Sequence, residues 1–221
     1  MKLIRSLLPA LLLVAFAGSG AAAVSSEPAA LAVLASSAGL QEKARACQEL
    51  GDVGGPASVA PLAALLNQAY LADYARSGLE GIKDPSAGAA LRKALPTLEG
   101  RFLAGAVNSL GVRREVAAVP DLRKLALEPK RGVVEEAIAS LGMIANRDAT
   151  KTLRQVLTSG SAELRVPTAH ALLLAAAQLA KDGNVAGARE LLDAVVRARP
   201  SGQLATVAEN QLAALKARPA K

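Results

Sequence analysis

One cysteine, one histidine and no tryptophan occur among 221 residues, and two tyrosines with two phenylalanines bring the aromatic content to only 2%. Each scarcity removes a class of protein. Cys47 has no second cysteine to pair with, so no internal disulfide can form and packing must supply the stability. His170 stands without a second histidine or a cysteine cluster, so a zinc site of ordinary ligands cannot be assembled. There is no G-x-S-x-G elbow and no H-E-x-x-H helix. The glycines of "GDVGGP", 51–56, lack the Gly-Lys-Ser/Thr ending of a phosphate loop and read as an inter-helix turn. Glu135 and Glu136 are adjacent, which on a helix points them about 100° apart and suits a solvated face rather than paired acid–base work. The expectation is a non-enzymatic chain with no catalytic residue, no metal site and no cofactor.

A long hydrophobic run is also missing. The apolar stretch Leu7–Ala17 has eleven residues, against the roughly 20 needed to span a bilayer. It follows Lys2 and Arg5 and precedes small residues, the order of a secretory signal peptide, with Ala21 and Ala23 placing cleavage after Ala23. The expected mature chain is exported, periplasmic or secreted, with no transmembrane segment. Losing Lys2 and Arg5 takes the net charge from +7 to +5. An exported basic protein meets acidic proteins, anionic glycans or lipid headgroups rather than nucleic acid.

What the chain has in quantity is Ala, Leu and Val, within an apolar content of 52%, and these favour a helical core. They recur in a pattern. "SLGVRREVAAVPDLRKL" (109–125) and "SLGMIANRDATKTLRQV" (140–156) share a skeleton that extends to four copies, anchored on Leu50, Leu79, Leu110 and Leu141 at spacings of 29, 31 and 31. A second Leu follows each anchor by twelve residues, at Leu62, Leu91, Leu122 and Leu153, and an alanine precedes it by four, at Ala46, Ala75, Ala106 and Ala137. Leu103, Ala106, Val107 and Leu110 make one helical stripe, and Val119, Leu122, Leu125 and Ala126 make another. Each unit therefore reads as helix, turn, helix, with Pro61 and Pro120 early in their second helices. Hairpins this short must stack to hide their apolar stripes.

The motifs "ARACQELGDVGGPASVAPLAALL", "AVNSLGVRREVAAVPDLRKLAL" and "AIASLGMIANRDATKTLRQVL" resemble HEAT repeats, specifically the short phycobilisome lyase HEAT-like kind. The resemblance covers residues 40–160 and implies an all-α protein, a right-handed α-solenoid (α-α superhelix) of helical hairpins. Unit two departs from the pattern, with Glu80 where its neighbours have glycine and Arg76 where they have Cys47, Val107 and Ile138. Residues 24–39 would be a linker with a capping helix in "PAALAVLASS". In 161–221, Leu172, Gly183, Ala188, Leu192 and Pro200 resemble a tetratricopeptide repeat without its large aromatics; a stretched HEAT hairpin is the alternative, followed by a closing helix after Pro200. Sharing such repeats carries no lyase activity with it.

The repeat aligns charge as well. Arg92, Arg123 and Arg154 each follow the second-helix Leu, and Lys93 and Lys124 follow two of them, so stacked units would set three arginines in a row roughly 20 Å long, given helix spacings of about 8–10 Å. The first helices are more acidic. At 100° per residue the row lies on the border between core and water: the arginine stems could merely cover the apolar edge, or the guanidinium forks could grip a partner's carboxylates or phosphates. The resemblance puts second helices on the concave groove, where partners dock. Tyr70 and Tyr74, one turn apart, are either contact anchors or half-buried spacers. Cys47 is either a small core residue or a reactive thiol. The leading expectation is a protein-interaction scaffold whose partner is another protein with an acidic surface. The alternatives are an accessory or lyase-like subunit, in which Cys47 or His170 touches a ligand, and a binder of anionic envelope glycan or lipid.

Overall fold

The computed structural model describes residues 26–217, so the expected signal peptide and its cleavage point lie outside the described residues. Twelve α-helices and no strand form among them. The first six are α1 (Glu27–Ala35), α2 (Leu40–Val53), α3 (Pro56–Ala63), α4 (Ala72–Gly81), α5 (Pro85–Ala94) and α6 (Gly100–Val112). The rest are α7 (Val119–Leu127), α8 (Val134–Ile144), α9 (Arg147–Ser159), α10 (Arg165–Lys181), α11 (Val185–Ala198) and α12 (Gly202–Ala217).

Local chemistry sets the boundaries. Asp84, Asn146 and Asn184 accept from backbone N–H groups at the starts of α5, α9 and α11, satisfying donors that a helix leaves open. Pro56 and Pro85 open α3 and α5, where a missing N–H costs nothing. Gly54 and Gly55 form the turn expected of "GDVGGP". Pro120 lies in the first turn of α7, but Pro61 does not sit early in its helix: α3 already begins at Pro56, so Pro61 falls inside it. The α-helical ladder ends at Ala63, soon after this lost donor, and turns carry the chain to α4.

Packing skips one helix at a time. Along the series α2, α4, α6, α8, α10 each helix but the last packs on the next; α3 packs on α5, α7 on α9 and α9 on α11. Helix α1 covers α2 and α3, and α12 covers α10 and α11. The four anchor leucines and the four second-helix leucines are all fully buried, and the four repeated alanines are at most 2% exposed. A single apolar cluster runs from Ala30 to Ala208.

The glycine in "SLG" has a packing reason. It faces the residue just before the next unit's anchor: a Cβ on Gly51 would lie 3.4 Å from Gly78 Cα, one on Gly111 2.7 Å from Ser140 Cα, and one on Gly142 2.8 Å from the Ala171 carbonyl oxygen. The Ser140 hydroxyl donates across the same seam to the Val107 carbonyl at 2.9 Å. Ala171 precedes Leu172, which is fully buried and 31 residues after Leu141, so α10 continues the register as a fifth first helix. Thr168 occupies the repeated alanine's place and is fully buried there. Helix α10 then runs on to Lys181, which is why no Leu follows its anchor at twelve residues.

Unit two's departures pair with each other. Arg76 Nη1 lies 2.9 Å from Glu80 Oε1, and the Ser109 hydroxyl donates to the same oxygen at 2.6 Å. A Cβ on Gly105 would be 2.8 Å from Arg76 Nε, so the glycine makes room for the large side chain.

Candidate interaction surface

The arginine row does not act as one row. Each of its members sits on a second helix and reaches toward the next one along, and what it meets there differs. Arg92 on α5 places Nε 3.3 Å from Asp121 Oδ2 on α7. Arg154 on α9 pairs with Glu190 on α11. Both arginines keep 36% of the side chain exposed, which fits the border position expected of them and makes the pairs surface ties between neighbouring helices. Arg123 on α7 is exposed and has no carboxylate within 4 Å among the described ion pairs. The equivalent of Asp121 one unit on, just before Leu153, is Thr152, which is buried and donates to the Asp148 carbonyl instead.

Two grooves result. Between α5 and α7, Arg92 and Lys124 share a depression with Lys130 and Arg131, although Arg131 is partly spent: its guanidinium donates to the Leu95 and Leu98 carbonyls at 3.2 and 2.5 Å. Between α7 and α9, Arg123 lines a second groove of about 570 Å³ with Lys151, Asn146 and Gln155. Adjacent residues on α7, Arg123 and Lys124, thus face opposite neighbours. Lys93 is exposed on α5 and lines neither groove.

The tyrosines form a separate corner. Tyr70 lies in the turn before α4 rather than on the helix and is 74% exposed; Tyr74, on α4, is 40% exposed. Tyr70 is thus largely open, whereas Tyr74 is partly covered. Arg101, at the start of α6, donates to the Ala69 carbonyl at 2.6 Å, approaches Asp73 Oδ2 at 3.4 Å and holds its guanidinium 4.5 Å from the Phe102 ring centroid. The tyrosines line neither of the two basic grooves.

Cys47 is fully buried on the core face of α2, and burial pushes its thiol up to about 11, which keeps it protonated and unreactive at neutral pH. His170 is exposed on α10 beside Glu135 and Glu136. No cluster of three or more His, Cys, Asp or Glu positioned for a metal ion occurs among the described residues, and no described helix is long and apolar enough to cross a membrane.

Several arginines outside the row proved structural, which the spacing pattern did not reveal. Arg113, just past α6, donates to the carbonyls of Leu79, Glu80, Ile82 and Asp84, closing the C-terminal end of α4. The signal for Lys130 was visible as the Lys-Arg pair in the "LEPKRG" connection; Lys151 carried none. Compared with family models and with curated proteins, the chain matches none.

Proposed function

We propose that this chain is an exported, non-enzymatic scaffold of the HEAT-like α-solenoid type that binds an acidic protein across the face formed by its second helices. The observation that carries the reading is the skip-one packing from α2 to α10, with glycine-to-small-residue seams at its α2–α4, α6–α8 and α8–α10 steps. Units that contact only their neighbours build an extended surface rather than an enclosed cleft, and such surfaces suit macromolecular partners. On the second-helix side that surface carries Arg123, Lys93 and Lys124 in exposed positions. The continuation of the seam into Ala171 and Leu172 supports a stretched HEAT hairpin over a tetratricopeptide repeat at 161–221. Burial of Cys47 weighs against a ligand-touching thiol.

Crosslinking in the native cell followed by mass spectrometry, run beside cell fractionation, tests this reading. It expects capture of an acidic protein outside the cytoplasm, with loss of capture when Arg123 and Lys124 are both changed to Glu. Retention of every crosslinked partner by that double variant, or residence in the cytoplasm, refutes it.

A further inference from the structure

We infer that the groove between α7 and α9 is a carboxylate-binding notch that receives an acidic side chain from an extended segment of a partner polypeptide. This inference rests on the scaffold reading above and assigns it a specific contact. The neighbouring steps of the arginine row answer the guanidinium internally, with Asp121 at the α5–α7 step and Glu190 at the α9–α11 step. At the α7–α9 step Thr152 stands in the equivalent place, so Arg123 faces an open groove and is paired with no carboxylate there. A partner's Asp or Glu would supply the missing member.

The rest of the groove suits that occupant. Lys151 lines it as a second cation, and Asn146 and Gln155 bring amide groups that can donate. The first turns of α7 and α9 both border it, at Pro120 and at Asp148, and helix starts carry partial positive charge. Asp148 is the one carboxylate in the lining, and it forms no ion pair with Arg123 or Lys151. Val116, 57% exposed, and Pro120 give an apolar rim on the α7 side. The favoured segment therefore carries an acidic residue beside a small apolar one. Arg is the better half of the pair of cations, because its fork can hold both carboxylate oxygens at once.

The probe is an end-blocked, fluorescein-labelled ten-residue peptide of alternating Glu and Val, compared with its Gln–Val counterpart by fluorescence anisotropy on the full chain at low salt. Saturable binding of the Glu peptide and none of the Gln peptide are expected. Arg123→Gln should weaken binding about tenfold, the worth of one charge-assisted contact, and Lys151→Gln by several-fold, whereas Arg92→Gln and Arg154→Gln should change it less than twofold. Equal binding of both peptides, equal loss in all four variants, or no binding of the Glu peptide at millimolar concentration overturns the notch. The scaffold reading survives each of those results if the crosslinked acidic partner is still captured outside the cytoplasm, and falls if that partner is absent, if it is indifferent to the second-helix cations, or if the chain resides in the cytoplasm.

Discussion

Placing one methyl group on the α6–α8 seam provides a direct test of how the units are held together. In Gly111→Ala the new Cβ would lie 2.7 Å from Ser140 Cα and 2.8 Å from Ser140 Cβ, both rigid parts of α8, while Met143 Cε at 2.6 Å can swing away. The two helices must separate by several tenths of an ångström, weakening contacts along the whole seam. Overpacking of this kind costs about 1–3 kcal/mol, and the upper half of that range applies because the obstruction is backbone. Exchanging glycine for alanine inside a helix returns about 1 kcal/mol. The net loss is about 1–2 kcal/mol, which lowers the thermal midpoint of a chain this size by about 2–6 °C. Gly202→Ala, at the open start of α12 with nothing within 4 Å of the added carbon, is the control and should leave the midpoint unchanged or slightly raised. Circular dichroism melts of the two variants against the parent decide the matter. A Gly111→Ala midpoint at or above the parent's would refute close seam packing as the reason for the repeated glycine.

Three further outcomes are expected. Glu80→Gly alone should destabilise by removing the nearer carboxylate of the half-buried Arg76 and leaving it only the exposed Asp73 at 3.4 Å, whereas Arg76→Val with Glu80→Gly, which restores the pattern of the other units, should recover the loss; a double-mutant cycle in urea should give a coupling of about 1 kcal/mol. Cys47 should resist iodoacetamide in the folded protein at pH 8, and the stability owed to its protonated thiol, complete below the ordinary value of 9.0, should decline as pH rises toward about 11, as read from denaturant midpoints across that range. Hydrogen bonds from the Ser58 hydroxyl and then the Gly55 N–H hold the Glu27 carboxyl below its usual value of 4.5, so the tie from α1 to the start of α3 is present above that value and fails as pH falls through the lowered one; hydrogen exchange should show α1 opening first in acid, and in Glu27→Gln already at neutral pH.

Much of the helical organisation could be read from periodicity. The anchors, their second leucines and the small alanines all fell in the core because a helix buries one stripe and the chain repeats that stripe at a constant interval. The fifth first helix was legible too, in the spacing of 31 from Leu141 to Leu172, but the long helix that follows the anchor hid it. Pro61 was misplaced because nothing in the local pattern distinguishes a helix that starts at a Gly-Gly-Pro corner from one that starts at the second proline. The candidate site was half legible. Spacing identified Arg92, Arg123 and Arg154 as equivalent, yet equivalence in sequence says nothing of what each side chain meets on the adjacent helix.

The chain by itself determined that it would form short amphipathic helices in repeating pairs, since apolar spacing, helix-start prolines and capping residues are local properties that each segment carries alone. Only the tertiary structure decided which cations are occupied. Asp121 and Glu190 lie 29 and 36 residues from the arginines they neutralise, and such pairs exist only once neighbouring helices pack. Packing likewise turned two misfit residues, Arg76 and Glu80, into partners, and left Arg123 facing open groove where Thr152 stands at the position that Asp121 holds one unit earlier. Electrostatic role depends on distances of a few ångströms between segments far apart in sequence, and those distances are a product of packing.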